Sequence, residues 1–320
     1  MNHEIYADHA ATAPIEPLAL EAMYTAYQEY ANPAALYRSA LHTKQTVEKA
    51  RLTVAENLGC NYTIVPIGDS VAHTVEQLYS PIHSYTSNRD FKVELTGLMY
   101  ENIQARDRGA RILSGFSAAF KGGVCCNANK AEITVGYGTF YGDLLGLFCP
   151  LGDLWKHQVY DLGRYLNENV YKKEVIPEAI FTIRPSAELS EEQTVGRGGD
   201  PLLYEYHDYL FRAFVENWEK MSPAEVLRHY MEHDLEALIG CGSGVIDRLF
   251  PTHDAFIRDL ERWYALFAGF ASAKRIQAPP ILSVSPRAYG FDFREAQLSP
   301  YFSLEYEERK EQLLTQDRLF

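Results

Sequence analysis

The sequence predicts an α/β protein with a parallel sheet covered by helices on both faces, a helical N-terminal arm and a helical C-terminal part. Two observations support this class. Short β-branched or apolar runs alternate with amphipathic helical patterns through the middle of the chain, as in strand–helix–strand units. The last third of the chain carries mainly helical periodicity.

The composition limits the classes of function. The chain has 320 residues, 47% hydrophobic and 23% charged, which indicates a soluble globular protein of one or two domains. It has no apolar run of about 18 residues and no signal-peptide pattern, so we expect a cytoplasmic protein without a membrane partner. A net charge of −13 argues against nucleic acid as a partner. The five cysteines form no CxxC pair and are expected to be reduced thiols.

Residues 1–58 form the predicted N-terminal arm. Pro17 opens one helix, which Asn32-Pro33 ends, and a second helix is expected from Ser39 to Leu58, with Gly59 as its stop. The character of the sequence changes after this point. We therefore assign residues 59–320 to a second domain.

The second domain begins with alternating strands and helices. Its predicted elements are a strand at Tyr62–Ile67, a helix capped by Asp69 or Ser70, a long helix at Thr96–Phe120, a short buried strand at Gly122–Cys126, and helices beginning near Glu132 and Lys156. Further helices are expected at Leu202–Lys220, Pro223–Leu238 and Ile246–Ala273. Alternation of this kind predicts the parallel sheet.

A polar stretch, Asn127-Ala-Asn-Lys-Ala-Glu132, follows the second predicted strand directly, and Tyr141-Gly-Asp143 comes shortly after it. Ligands of such proteins bind beyond the carboxyl ends of parallel strands. A carboxylate in the first turn of a helix can ligate a metal ion. The amide groups at the start of the helix can bind a phosphate. We therefore expect the chemistry of the protein at this edge of the sheet.

Ordered motifs extend from about residue 58 to the end. They are Glu101-Asn-Ile-Gln-Ala-Arg-Asp-Arg-Gly109, Asn129-Lys-Ala-Glu132, Val135-Gly-Tyr-Gly-Thr-Phe-Tyr-Gly-Asp143, Pro185-Ser-Ala-Glu-Leu189, Asp200-Pro-Leu-Leu-Tyr204 with Asp208, and Lys274-Arg-Ile-Gln-Ala-Pro-Pro280. In these motifs the chain resembles the synthetase domain of NAD synthetases, especially the glutamine-dependent kind. The resemblance implies a truncated, adenine-nucleotide α-hydrolase-like (Rossmann-like) parallel sheet. It also implies an ATP-dependent C–N ligase that adenylates the nicotinate carboxylate of deamido-NAD and lets ammonia displace AMP.

The resemblance implies roles for single residues, with ATP and Mg2+ as cofactors. Glu132 matches a magnesium-ligating glutamate; its plainer interpretation is an exposed helix residue. Lys156 matches a phosphate-contacting lysine and Asp143 an acidic residue at the nicotinate end, and these two are the candidate catalytic residues. The alternatives are a surface lysine and a turn aspartate. The candidate nucleotide-binding residues are Arg106, Arg108, Asn127, Asn129, Lys130, Ser186, Lys274 and Arg275.

The arm has a different resemblance. Tyr6-Ala-Asp-His-Ala-Ala-Thr-Ala-Pro14, Asn32-Pro33 and Val47-Glu-Lys-Ala-Arg51 are similar to the N-terminal arm of cysteine desulfurases and related class V aminotransferase-fold enzymes. The cofactor lysine and the catalytic cysteine loop of those enzymes do not follow. We therefore expect neither pyridoxal phosphate nor desulfurase activity, and a packing or dimerisation arm is the plainer interpretation.

The chain departs from the synthetase pattern in one essential part. The first strand of that family ends in a Ser-Gly-Gly-x-Asp-Ser loop that holds the ATP pyrophosphate, and no such loop occurs here. Each charge-assisted hydrogen bond of such a loop is worth roughly 1.5–3 kcal/mol, and about 1.4 kcal/mol changes a rate tenfold. We therefore expect a NAD synthetase-related protein that is impaired in catalysis and would take ammonia from solution.

Two other interpretations stay open. The chain could be a non-catalytic, dinucleotide-binding or dimerising regulator of an intact synthetase, or a recombined gene product without activity. The resemblance implies deamido-NAD or NAD as the small-molecule partner. It further implies a homodimer, or a heterodimer with an intact NAD synthetase, as the assembly.

Overall fold

The computed structural model describes residues 49, 52, 61, 63–176, 178–186, 200–216, 220–289 and 301–317. Within the predicted N-terminal arm, Lys49 and Leu52 are described and both are helical. The other arm residues lie outside the described ranges. The chain divides into two compact units, residues 1–66 with 160–184, and residues 67–159 with 185–320.

The secondary structure of the described residues is mainly helical. In chain order the first elements are α1 (Gly68–Leu78), β1 (Ile82–Ser84), β2 (Arg89–Phe91), α2 (Gly97–Arg106), α3 (Ser114–Phe120), α4 (Lys130–Val135), α5 (Lys156–Tyr165) and α6 (Glu178–Thr182). The later ones are α7 (Tyr204–Val215), α8 (Pro223–Met231), α9 (Leu235–Ile239), α10 (Val245–Leu249), α11 (His253–Ala268), α12 (Ala271–Gln277) and α13 (Leu304–Asp317). None of the described helices combines the length and the apolarity that crossing a membrane requires.

The long helix predicted at Thr96–Phe120 is confirmed as a helical run with an irregular middle. Thr96 is the N-cap of α2, and seven π-helical residues, Asp107–Leu113, join α2 to α3. Within the π-helical stretch, Gly109 lies directly against the backbone of Gly142. The run therefore packs closely against the turn that carries Asp143.

The strand predicted at Tyr62–Ile67 is wrong for the residues that the structure describes. Residues 63–67 are in no strand and are largely exposed. A β-branched run needs a neighbouring strand to pair its backbone groups, and sequence periodicity does not supply that partner. The regular strands in the described ranges are β1 and β2, which pair antiparallel from Ile82 opposite Phe91 to Ser84 opposite Arg89.

Parallel pairing occurs between three short extended segments. Cys125 bridges Phe148, and Cys149 bridges Ile281, both in parallel orientation. Cys126 N donates to the Phe148 carbonyl oxygen at 2.9 Å. The segment predicted as the strand Gly122–Cys126 thus has a parallel neighbour. It pairs with that neighbour through one isolated bridge and not through a continuous ladder of backbone hydrogen bonds. The four described cysteines are free thiols, as expected.

The core of the larger unit lies where α7 and α11 pack together. Its fully buried aromatic side chains include Tyr206, Phe211, Phe256 and Trp263. Burying apolar surface contributes about 25 cal/mol per Å², so large aromatic side chains dominate the stability of such a core. The core anchors α7, whose first residue contributes to the site described below.

The smaller unit is described at residues 160–176 and 178–184. Asn167 Oδ1 accepts hydrogen bonds from Val175 N at 2.9 Å and Ile176 N at 2.8 Å, and its Nδ2 donates to the Ile176 carbonyl oxygen at 2.6 Å. Gly163 lies against the ring of Phe181. One amide side chain therefore closes the connection between α5 and α6.

The contact between Gly109 and Gly142 leads to a testable prediction about stability. A Cβ at position 109 would lie 2.2 Å from the Gly142 carbonyl oxygen, so the backbone must shift to accept it. Gly109→Ala should lower the free energy of unfolding by about 1–3 kcal/mol, measured by urea denaturation.

Gly115→Ala is the matched control, since Gly115 is also helical but has no atom within 4 Å of its Cβ position. This substitution should raise the free energy of unfolding by up to about 1 kcal/mol because alanine is the better helix former. Equal effects of the two substitutions would contradict the packing seen at Gly109.

Candidate functional site

The candidate site begins at the first turn of α4, directly after the extended segment that contains Cys125. Asn129 Oδ1 accepts a hydrogen bond from Glu132 N at 3.1 Å, and Asn129 N donates to Glu132 Oε2 at 2.9 Å. This reciprocal pair is a capping box, which satisfies amide groups that the start of a helix leaves without partners. It fixes the Glu132 carboxylate and leaves Oε1 for another contact.

Tyr204 joins Glu132 to two further side chains, those of Asp200 and Lys156. The Tyr204 hydroxyl donates to Glu132 Oε1 at 2.8 Å, and Asp200 Oδ2 lies 2.9 Å from the same hydroxyl oxygen. The ammonium group of Lys156, the first residue of α5, lies 5.4 Å from the centre of the Tyr204 ring. Two carboxylates, one hydroxyl and one ammonium group therefore gather from three parts of the chain. We call these four residues the Glu132 cluster.

Burial dominates the electrostatics of the Glu132 cluster. It raises the pKa of Glu132 to about 7, against the opposing effects of the Lys156 charge and of the hydrogen bonds that the carboxylate accepts. Burial also raises the pKa of Asp200, against the hydrogen bonds and the Lys156 charge that favour its ionised form. The two carboxylates are thus costly to ionise unless more positive charge comes close.

The donor set of the Glu132 cluster fits a small divalent cation. Its members offer carboxylate and hydroxyl oxygens, which are the hard ligands that Mg2+ prefers. Mg2+ is commonly held by one or two carboxylates, with waters and phosphate oxygens completing the octahedron. The fixed Glu132 carboxylate meets this requirement.

A second polar group surrounds the turn at residues 136–143. Asp143 Oδ1 accepts a hydrogen bond from Thr139 N at 2.7 Å, and Arg106 Nε donates to the Phe140 carbonyl oxygen at 3.1 Å. Lys274 Nζ donates to two glycine carbonyl oxygens of the same turn. The structure therefore brings Asp143, Arg106 and Lys274 to one turn, and their ligand contacts stay predictions.

The charges of this second group are also perturbed. Asp143 is exposed as a residue, but its carboxyl group lies over the backbone of the turn, and desolvation there raises its pKa. Burial lowers the pKa of Lys274. Burial raises the pKa of Tyr137, and the negative charges of Asp200, Glu132 and Asp143 raise it further. Negative charges from both polar groups therefore act on the Tyr137 hydroxyl.

Three other predicted ligand residues, Ser186, Arg108 and Asn127, lie in different surroundings. Ser186 follows Pro185, whose carbonyl oxygen accepts a hydrogen bond from Asp200 N at 2.8 Å, so its segment is tied to the Glu132 cluster. Arg108 is exposed and Asn127 is half-buried. No hydrogen bond among the described residues joins Arg108 or Asn127 to either polar group, and their ligand contacts stay predictions.

Lys130 was predicted to bind nucleotide, but it lies in the interior. Its side chain has no exposure, and its Nζ lies 2.7 Å from Asp153 Oδ1, 2.6 Å from Glu216 Oε1, 2.9 Å from Ser285 Oγ and 3.0 Å from the Arg287 carbonyl oxygen. An ammonium group has three hydrogens, so its acceptors already outnumber its donors. Groups of the protein therefore take up the hydrogen bonds of Lys130 in this structure, and its nucleotide contact stays a prediction.

Two further predicted ligand residues hold α4 in place. Arg275 is buried, and its guanidinium group donates to the Thr134 carbonyl near the end of α4 and to the Phe267 carbonyl oxygen, the latter at 2.8 Å. A cation at the last carbonyls of a helix complements the helix dipole. Asn129 holds the other end of α4 as its cap. Both side chains position Glu132, and neither is placed toward a ligand by these contacts.

Four residues of the site had no role assigned from sequence. Asp200 and Tyr204 stand in one of the motifs that carry the resemblance, which was a usable signal. Asp153 and Glu216 form ion pairs with Lys130 across 23 and 86 positions of the chain. Sequence patterns follow local periodicity, so they contain no signal for such distant pairs.

The comparison with protein families decides the family. The NAD synthase family model matches residues 15–238, which is more than half of the chain. The chain belongs to the NAD synthase family. The match begins inside residues 1–58, and the division of the chain at residue 58 stays a prediction.

Curated relatives of this NAD synthase family member are longer proteins. It is 32% identical over 268 residues to the glutamine-dependent NAD(+) synthetase of Aquifex aeolicus, covering 82% of this chain and 39% of the relative. It is 36% identical over 193 residues to that of Thermotoga maritima, covering 60% and 30%. The chain therefore spans less than half the length of these relatives.

A solved structure supports the fold of this family member. The glutamine-dependent NAD(+) synthetase from Cytophaga hutchinsonii matches with a TM-score of 0.50 and 17% identity, covering 84% of this chain and 38% of that one. At this identity the likeness concerns the fold alone. It agrees with an α/β protein at a coarse level, rich in helix and with a small sheet.

The contacts of Lys130 predict a large loss of stability on its removal. Lys130→Met keeps the length of the side chain but leaves Asp153 and Glu216 without their positive partner. Breaking a buried ion pair in this way costs about 3–5 kcal/mol, measured by urea denaturation. The control is Lys92→Met at an exposed position, which should stay within about 0.5 kcal/mol of wild type. A Lys130→Met protein as stable as that control would contradict the interior role.

The raised pKa of Glu132 predicts a pH dependence of stability. Folded Glu132 keeps its proton up to about pH 7, whereas the unfolded residue loses it near its ordinary pKa of 4.5. Between these values the folded state binds more protons, so the free energy of unfolding should fall as the pH rises, by on the order of 1–3 kcal/mol.

Urea denaturation at pH 5, 6, 7 and 8 measures this fall, which Glu132→Gln should reduce because glutamine does not titrate. Glu205→Gln is the control, since Glu205 is exposed and pairs with Arg248 outside the Glu132 cluster. If Glu132→Gln and wild type show the same slope, Glu132 does not titrate in this range.

Proposed function

We propose that this chain is a NAD synthetase-related protein that binds ATP, Mg2+ and deamido-NAD at the Glu132 cluster and the neighbouring turn at residues 136–143. Its amidation step is impaired. The observation that carries the proposal is the Glu132 carboxylate, fixed by Asn129 and Tyr204 beside Lys156. Membership of the NAD synthase family and the names of the curated relatives support the choice of substrates.

The reaction proposed is the amidation of deamido-NAD to NAD by ammonia, with ATP converted to AMP. Mg2+ would supply positive charge to the phosphate oxygens on which negative charge develops. Glu132 would hold the cation, and Lys156 would orient a phosphate group from the start of α5. Asp143 would contact the nicotinate end, at a turn that Arg106 and Lys274 hold by hydrogen bonds to its carbonyls.

The impairment is proposed from the sequence. Without the Ser-Gly-Gly-x-Asp-Ser loop, the adenine-nucleotide α-hydrolase-like sheet is truncated on the side that would grip the ATP pyrophosphate. Two or three lost charge-assisted hydrogen bonds, at roughly 1.5–3 kcal/mol each, would slow the reaction by several powers of ten. The same observation favours a second candidate, a non-catalytic dinucleotide-binding regulator that acts as a homodimer or with an intact synthetase.

A combined binding and turnover experiment tests the proposal. Purified protein receives ATP, MgCl2, deamido-NAD and ammonium chloride, and we measure NAD and AMP by chromatography and ligand binding by calorimetry. Deamido-NAD and ATP with Mg2+ should bind, Glu132→Ala should weaken the binding of ATP with Mg2+ at least tenfold, and NAD should form with fewer than one turnover per minute. Glu205→Gln should bind like wild type.

The outcomes separate the parts of the proposal. Rapid, equimolar formation of NAD and AMP that Glu132→Ala abolishes would refute the impairment. Binding of both ligands without any NAD favours the regulator, whose assembly state sedimentation would then establish. If neither ligand binds, the chain is not a nucleotide-binding relative in function.

A further inference from the structure

Two cysteine side chains face each other on neighbouring extended segments. Cys125 bridges Phe148 in parallel orientation, and Cys126 N donates to the Phe148 carbonyl oxygen at 2.9 Å. This register sets Cys126 opposite Cys149. Side chains alternate between the two faces of an extended segment, and here Cys125 and Phe148 are exposed whereas Cys126 and Cys149 are buried. The two buried thiols therefore share one face.

The spacing of the two segments suits a disulfide. Hydrogen-bonded neighbouring strands lie about 4.7–4.9 Å apart, and a disulfide joins Cα atoms that are about 4.4–6.8 Å apart. A hydrogen bond with the Cys149 thiol lowers the pKa of Cys126, against the opposing effect of burial. The same contact, together with burial, raises the pKa of Cys149. Cys126 is therefore the thiol of the pair that loses its proton first, and the thiolate is the nucleophilic form of cysteine.

Both thiols also contact the backbone of the candidate site. Cys126 Sγ donates to the Asp143 carbonyl oxygen at 3.3 Å, and Cys149 Sγ donates to the Ala128 carbonyl oxygen at 3.4 Å. Asp143 belongs to the turn at residues 136–143, and Ala128 directly precedes Asn129, the cap of α4. A disulfide carries no thiol hydrogen, so its formation would remove both of these donors.

The segment that holds Cys149 borders the surface. Leu147 and Phe148, which directly precede Cys149, are exposed. Isolated bridges join this segment to its neighbours, and few backbone hydrogen bonds have to break when such a segment opens locally. Hydrogen peroxide is little larger than water, so a local opening is enough to admit it to the pair.

We propose that Cys126 and Cys149 are a modification site at which a peroxide converts the two thiols to an intrachain disulfide. The Cys126 thiolate attacks one oxygen of hydrogen peroxide, the O–O bond breaks, and Cys126 becomes a sulfenic acid. The released hydroxide takes up the proton that Cys126 lost and leaves as water. The sulfur of Cys149 then attacks the sulfur of Cys126, the S–O bond breaks, and the hydroxyl group leaves with the proton of Cys149 as a second water.

In this reaction two thiols are oxidised to one disulfide, and one peroxide is reduced to two waters. The modification goes beyond the proposed function and does not depend on it. It would link the segment before α4 to the segment that follows the turn of Asp143, and so would connect two parts of the candidate site covalently.

Peptide mapping of the oxidised protein tests the inference. The reduced, folded, full-length chain is treated with an excess of hydrogen peroxide. Its remaining thiols are blocked with N-ethylmaleimide in denaturant, and it is digested with trypsin without reduction. Trypsin leaves Cys126 in residues 122–130 and Cys149 in residues 131–156. These two peptides should be joined, with the loss of the mass of two hydrogen atoms, and dithiothreitol should separate them. Non-reducing electrophoresis should show a single chain.

Serine variants identify the bonded pair. Cys126→Ser and Cys149→Ser should each abolish the joined peptide. Cys125→Ser is the matched control because Cys125 is adjacent in sequence but exposed, and it should give as much joined peptide as wild type. Thermal denaturation checks that each variant is folded, and the map of the wild-type protein needs no variant.

Four outcomes would overturn the inference. They are a joined peptide that Cys125→Ser abolishes, a disulfide within residues 122–130, a bond between two chains, and a wild-type map without the joined peptide after oxidation.

Discussion

The ammonium group of Lys130 lies among two carboxylates, a hydroxyl and a main-chain carbonyl, with no exposure to solvent. Its contacts place the parts of the chain that form the candidate site. Lys130 begins α4, on which Glu132 follows two positions later; Asp153 stands shortly before α5 and Lys156; and Glu216 lies just beyond the end of α7, which Tyr204 begins. The geometry of the Glu132 cluster therefore depends on one buried cation.

The buried carboxylates form two sets, which differ in whether hydrogen bonds and positive charge outweigh the effect of burial on their pKa. Around Lys130 the negative groups accept hydrogen bonds from positive or polar partners. Burial alone would raise the pKa of Asp153, but the hydrogen bonds from Lys130 and Ser285 outweigh burial and hold this pKa below its usual value. In the Glu132 cluster the two carboxylates also accept hydrogen bonds, but burial outweighs these contacts and raises the pKa of both. A satisfied ionic network suits a structural role, since an unpaired buried charge is costly.

Motifs shared with a family contain both ligand-binding residues and the residues that hold them. In Asn129-Lys-Ala-Glu132, the asparagine caps the helix, the lysine is an interior cation, and only the glutamate faces the cluster of polar groups. Arg275 and Lys274 both hold main-chain carbonyls in the structure, the first at the end of α4 and the second at the turn of Asp143. Residue type alone does not separate these roles, because a lysine or an arginine suits a phosphate and a carbonyl equally well.

Local signals in the sequence determined most of the helices. Apolar periodicity and helix-end signals predict the run from Thr96 to Phe120, the start of α5, and the helices after residue 202. They also pointed to Glu132 and Asp143 as candidate site residues, and the ligand contacts of both stay predictions. Tertiary structure alone decided that residues 63–67 form no strand, that Lys130 is interior and that Asp200 and Glu132 both contact the Tyr204 hydroxyl. A helix closes its hydrogen bonds within a few residues, whereas a strand, a buried ion pair and a carboxylate pair need partners from distant parts of the chain.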